Sequence, residues 1–101
     1  MSRFHPIDYG RAIKTVRTLH GITQRELGTV SGTTGSYVSF IESGEKRPSA
    51  DMLESIAVGL RVPVWLLVML GSHPDDLGPK IAKLVPKILT DYLRSTSIAE
   101  S

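Results

Sequence analysis

The chain contains no cysteine. Disulfides, thiol nucleophiles and cysteine-ligated zinc are therefore excluded, and a reducing compartment suits the composition. Long apolar runs are also missing. The longest, VPVWLLVML at residues 62–70, falls far short of the ~20 residues of a membrane span. The opening MSRFHPIDYG has no apolar segment of signal-peptide type, and a cytoplasmic protein is expected. Strand alternation is weak, and there is no internal repeat or low-complexity tract. His5, His20 and His73 have no helical i,i+4 partner and no Asp/Glu set at metal-ligand spacing, so no metal or cofactor is expected. No Ser–His–Asp order falls on a nucleophile turn, so an enzyme is not expected.

A large net charge is absent as well. The net charge is +2, but it is unevenly spread. Residues 1–47 hold seven Lys/Arg against four acids, a surplus of +3. Residues 48–101 hold five bases against six acids. A mildly basic front half suits a polyanionic partner, although charge alone equally describes an ordinary mixed surface.

What the sequence has is helical periodicity. Its 101 residues and 41% hydrophobic content suit one small all-α domain. Tyr9, Ala12, Ile13, Val16 and Leu19 recur at three- and four-residue steps, predicting a helix over residues 8–20 that Gly21 stops. TQRE at residues 23–26 is a capping box, starting a second helix with Leu27 and Val30 inward. Thr34 should cap a third helix, over TTGSYVSFIESG, that buries Val38 and Ile41 and ends at Gly44. Two short helices joined by a turn at Gly32 suggest a helix-turn-helix. A fourth helix over 49–60 and a fifth starting at Pro63 follow. GSHPDDLGP (71–79) is expected to be a linker or tight loop. The last segment carries Ile81, Leu84, Val85, Ile88, Leu89, Tyr92 and Leu93 on one stripe, and Pro86 should kink or split that helix.

Residues 7–70 resemble the lambda-repressor/Cro type of helix-turn-helix regulator, also called the xenobiotic-response-element family. The resemblance rests on RTLHGITQ (17–24), ELG (26–28), SYVSFIESG (36–44), and RPS (47–49) followed by LESIAVGLRVPVWLL, in order and almost without gaps. It implies a five-helix DNA-binding domain at 1–70. Residues 71–101 lie beyond it, as a linker and an additional amphipathic helix for dimerisation or core completion.

The resemblance also implies that the third helix enters the DNA major groove. The side chains turned outward there are Gly35, Ser36, Tyr37, Ser39 and Phe40. Ser36 can bond a base edge but discriminates weakly, and Phe40 can lie on a thymine methyl. Gly35 would permit close backbone approach. Tyr37 reads equally as a phosphate contact or a half-buried aromatic. Gln24, Arg25, Thr34, Lys46 and Arg47 are the expected backbone contacts, with Arg3, Arg11 and Lys14 as further bases. Gln24 in this family bonds a phosphate and buttresses the third helix. Arg17 and Glu42 are expected to form a structural ion pair. Regulators of this type bind pseudo-palindromic operators as homodimers. Trp65, Leu84, Ile88, Leu89 and Tyr92 are the expected interface, although the same stripe can instead cover the domain's own core. The function implied is operator binding, as a repressor. The rival is a protein-interaction module on the same scaffold, docking through Phe40, Tyr37 and the C-terminal stripe with weak or no DNA binding.

Overall fold

The structure, a computed structural model, describes residues 5–100, with side chains described to residue 95. Seven helices and no strands form among these residues: α1 (Tyr9–His20), α2 (Gln24–Val30), α3 (Gly35–Glu42), α4 (Ala50–Leu60), α5 (Val64–Gly71), α6 (Pro74–Leu77) and α7 (Pro79–Glu100). The helix starts follow side-chain chemistry. Asp8, Thr23, Thr34 and Ser49 each cap a helix by accepting an amide hydrogen bond from its first turn. At α2 the box is reciprocal: Thr23 accepts from the Glu26 amide at 3.0 Å, and Glu26 accepts from the Thr23 amide at 2.9 Å. These bonds to the ionised carboxyl hold Glu26 below its usual carboxylate range, the Thr23 backbone amide contributing most. α4 stops differently. Arg61 takes the left-handed conformation (φ 60°) where glycine is the usual residue.

The core is a single cluster drawn from α1–α5 and α7. Ile13 and Val16 of α1 meet Leu27 of α2, Val38 and Ile41 of α3, Ile56 and Leu60 of α4, and Leu66 and Leu67 of α5, all essentially inaccessible. Each such side chain stabilises the fold by about 1.5–3 kcal/mol relative to exposure. Close packing at two points requires glycine. A Cβ on Gly10 would stand 2.9 Å from the Glu42 carbonyl, and one on Gly28 would stand 2.7 Å from the Gly35 nitrogen. These bare positions let α1 and α2 lie against α3.

Several expectations change on folding. Leu19 and Val30, read as inward, are 59% and 60% exposed, because the ends of α1 and α2 project past the helices that cover their middles. The expected loop at 71–79 contains a one-turn helix, α6, started by Pro74 and capped by the His73 imidazole, which accepts from the Asp75 amide at 3.1 Å. A single turn is too short for apolar periodicity to reveal. Pro63 precedes α5 as its cap instead of lying in the first turn. Pro86 does not split α7. It lies on the exposed side of the helix, where water can hydrate the Ala82 carbonyl left without an amide partner.

α7 is divided along its length. Leu89 is buried in the core cluster, and Ile88, Tyr92 and Leu93 pack against it. Tyr92 meets Trp65 of α5 edge to face at 6.3 Å. Leu84 and Ile81, one and two turns before Ile88, are about half exposed, as is Trp65. Among the described residues no single helix is long and apolar enough to cross a membrane. α4 and α5 would qualify only jointly, and they meet at 101°.

Candidate nucleic-acid interface

The buried charge pair behind α3 organises this face. Glu42, with its side chain 4% exposed, receives two hydrogen bonds from Arg17: Nε to Oε2 at 2.6 Å and Nη2 to Oε1 at 3.0 Å. The third edge of the guanidinium donates to the Ile22 carbonyl at 2.9 Å. The Glu42 hydrogen bond holds Arg17 above its ordinary pKa, against the opposing pull of desolvation. Bidentate pairing of this kind fixes orientation as well as charge. The pair thus ties the C-terminal half of α1 to the end of α3.

Gln24 joins the same network. Its Nε2 donates to Glu42 Oε1 at 3.1 Å. The side chain links the first residue of α2 to the last residue of α3, and its carboxamide oxygen remains available on a half-buried residue.

In front of this network, Gln24, Arg25, Thr34, Gly35, Ser36 and Ser39 line a shallow concavity of about 530 Å³. The concavity lies between the start of α2 and the first turns of α3. Arg25 and Ser36 are exposed there, and Ser39 is half-buried. Thr34 accepts from the Tyr37 amide at 3.1 Å, which leaves its hydroxyl hydrogen free to donate outward. Gly35 turns its bare side inward. A Cβ there would stand 3.0 Å from the Arg25 Cα and 3.1 Å from its nitrogen, so the absent side chain lets the two helix starts converge.

Tyr37, Phe40 and Lys46 form the flank. Tyr37 is half-buried and packs on the core. Phe40 is 42% exposed. After Gly44 the chain folds back, and the Lys46 amide donates to the Phe40 carbonyl at 3.1 Å. This sets the Lys46 ammonium over both rings, 5.8 Å from the Tyr37 centroid and 5.9 Å from that of Phe40. Sequence reading offered Phe40 a base or a protein partner. The backbone fold-back that gives it a cation has no signature in helical spacing.

Arg47 and Arg11 point elsewhere. Arg47 lies over the Tyr9 ring at 5.1 Å and donates to the Ile7 carbonyl at 3.1 Å. Arg11 donates to the Leu70 carbonyl at 3.0 Å. Arg3 is outside the described residues. A second, larger depression of about 610 Å³ lies elsewhere, lined by Leu19, Ile22, Val30, Leu60 and Leu93 among others. It collects the two apolar side chains that sequence spacing placed in the core.

A helix-turn-helix family model matches residues 13–64. The chain is 32% identical over 72 residues to the competence pilus inhibition repressor of Acinetobacter baylyi, a match spanning 71% of this chain and 66% of that protein. Among solved structures it is similar to the restriction-modification controller protein C.AhdI of Aeromonas hydrophila. That similarity has a TM-score of 0.58 and 28% identity, over 60% of this chain and 92% of that one. It is also similar to the clp gene regulator ClgR of Corynebacterium glutamicum, with a TM-score of 0.61 and 30% identity, over 63% of this chain and 83% of that one. The chain spans between 41% and 66% of the length of the curated relatives it matches.

Proposed function

This chain belongs to the lambda-repressor/Cro-type helix-turn-helix family, and on that premise we propose that it binds duplex DNA through α2 and α3 as a sequence-specific transcriptional regulator. The observation that carries this reading is the concavity between the two helix starts. It gathers hydroxyl, amide and guanidinium donors from Thr34, Ser36, Ser39, Gln24 and Arg25, and Gln24 is hydrogen-bonded to the Glu42 carboxylate of the buried ion pair. Helix α3 would lie in the major groove with Ser36 and Ser39 at base edges, while Arg25, Thr34 and Lys46 meet phosphates. Hydroxyls read bases weakly, so DNA shape and a second subunit would supply much of the selectivity. The role is repression, in keeping with the named repressor among its relatives.

We further propose a homodimer on a two-fold operator. The half-exposed apolar residues Trp65, Ile81 and Leu84 support this. Leu89 and Tyr92 serve the subunit's own core, so the intersubunit contact falls on the first turns of α7 and on Trp65.

The test is fluorescence anisotropy on a random-sequence duplex over a range of salt. If about 4–6 phosphates are neutralised per subunit, log affinity falls against log salt with a slope of roughly −4 to −5 per bound subunit, about twice that for the dimer. Arg25→Ala and Lys46→Ala should each flatten that slope by about one. Lys87→Ala and Arg94→Ala, farther along α7, should leave it unchanged. Equal effects from both pairs would remove the assignment of this face. A second reading, docking of a protein, is favoured by the exposure of Leu19 and Val30 around the larger depression. It would be supported if a salt-dependent slope is absent altogether.

A further inference from the structure

Two of the three histidines that spacing treats as isolated, His5 and His73, are brought together by the fold. The segment before α1 runs across α6. Its His5 amide donates to Asp76 Oδ2 at 3.1 Å, and its Asp8 amide donates to the Gly71 carbonyl at 2.8 Å. This stacks the His5 imidazole on that of His73, with centroids 3.7 Å apart and planes 14° from parallel. His73 Nδ1 lies 3.6 Å from Asp75 Oδ2, and His5 Nδ1 lies 3.3 Å from Asp76 Oδ2. One ligand atom from each of His5, His73 and Asp75 falls within a 4.8 Å span.

We infer that His5, His73 and Asp75 form a site for a divalent first-row transition ion of the zinc class, with Asp76 behind His5. The chemistry of the set is suitable: two imidazoles and a carboxylate are borderline ligands that favour such ions over calcium or magnesium. Zinc bonds of ~2.0–2.2 Å place tetrahedral ligands roughly 3.3–3.5 Å apart. His73 Nδ1 and Asp75 Oδ2 already stand near that separation, and ligation through Nδ1 would replace the hydrogen bond it accepts from the Asp75 amide. His5 carries the usual outer partner of a ligating histidine. If its Nδ1–H donates to Asp76, its Nε2 lone pair is left for the ion. Parallel rings cannot aim two lone pairs at one point, so coordination requires the stack to open. His5, His73 and Asp75 have exposed side chains, 43%, 42% and 78% respectively, so solvent borders the stack that must open. A further coordination position opens on a depression lined by His5, Pro74, Asp75, Asp76, Gly78, Pro79 and Ala82.

The consequence follows from where the ligands sit. Residues 5 and 73 belong to different elements, so an ion would clamp the segment before α1 onto α6. That segment also receives Arg47, from the loop after α3, at the Ile7 carbonyl. Metal binding would therefore stiffen the support behind that loop. The inference stands apart from the DNA reading and is tested without DNA.

The experiment is calorimetric titration of the untagged full chain with zinc chloride, paired with the visible spectrum of its cobalt(II) form. The expected result is one ion per chain, with intense cobalt bands of low-symmetry coordination. His5→Ala and His73→Asn should each weaken binding by about tenfold or more; the asparagine keeps a capping side chain at the start of α6. His20→Ala should change nothing, since that ring bonds the Leu60 carbonyl instead. Circular dichroism establishes that each variant is folded. No binding at millimolar zinc, or binding that both folded variants retain in full, would overturn the site.

Discussion

Removing the Glu42 carboxylate should be among the most damaging changes of one polar residue in this protein. Glu42→Ala leaves the Arg17 guanidinium with its side chain 12% exposed and only the Ile22 carbonyl to satisfy it. Stranding one partner of a buried pair costs about 3–5 kcal/mol. The surviving Ile22 bond, and the access of water to half-buried Gln24, place this case near ~3 kcal/mol. For a domain of this size that lowers Tm by roughly 12–24 °C. Arg17→Met should cost a similar amount, because it leaves the carboxylate with Gln24 alone. Replacing both, as Arg17→Met with Glu42→Leu, removes the stranded charge and should cost less than either single change. Urea unfolding followed by circular dichroism, with Trp65 fluorescence as a second probe, supplies all three corners of the cycle. The losses should persist at high salt, since buried pairs are poorly screened. Single variants costing less than about 1 kcal/mol, or a double variant equal to their sum, would refute the account of the pair.

Four further outcomes are expected. Gly28→Ala should destabilise the fold by about 1–3 kcal/mol, because its new Cβ meets the backbone at the start of α3; urea midpoints measure this, and a neutral effect would mean the α2–α3 approach is looser than described. Glu26, whose folded pKa is lowered, contributes stability that is fully present above the ordinary value of 4.5 and is lost as pH falls through the folded value. Glu26→Gln should accordingly flatten the acid limb of the stability–pH curve, and identical limbs would dismiss that role. Leu89→Ala should cost about 2–5 kcal/mol of fold stability. Ile81→Glu with Leu84→Glu should leave Tm nearly unchanged while shifting sedimentation from dimer to monomer, and an unaltered sedimentation profile would displace the proposed contact.

What could be read in the sequence was the local chemistry. Thr23 with Glu26, Thr34 and Ser49 announce helix starts because capping depends on neighbours within one turn. Val38 and Ile41 announce a buried face because burial on one helix repeats every three to four residues. Arg17 and Glu42 were legible only through resemblance, since nothing in the 24 positions between them says which acid a given arginine will meet. The same limit hid the Gln24 bond to Glu42, the seat of Lys46 on Tyr37 and Phe40, and the meeting of His5 with His73. Each depends on how elements close on one another. Leu19 and Val30 show the converse failure. Their spacing is right for a core face, but they sit near helix ends on the wall of an open depression beside Gly59, Leu60 and Leu93. Gly35 was assigned to the ligand side, whereas its missing side chain makes room for the Arg25 backbone. From sequence alone, a bare position on a presumed reading helix does not reveal which side it faces.

The central claim is that α2 and α3 read duplex DNA, and selection of bound duplexes from a random pool at two salt concentrations tests it most directly. The account predicts enrichment of one short motif in two-fold repeat, half-sites about one helical turn (~34 Å) apart, with yield falling steeply at the higher salt. Ser36→Ala with Gln24→Ala should weaken the enrichment while the protein stays folded. A pool that emerges unenriched at low salt would contradict the account.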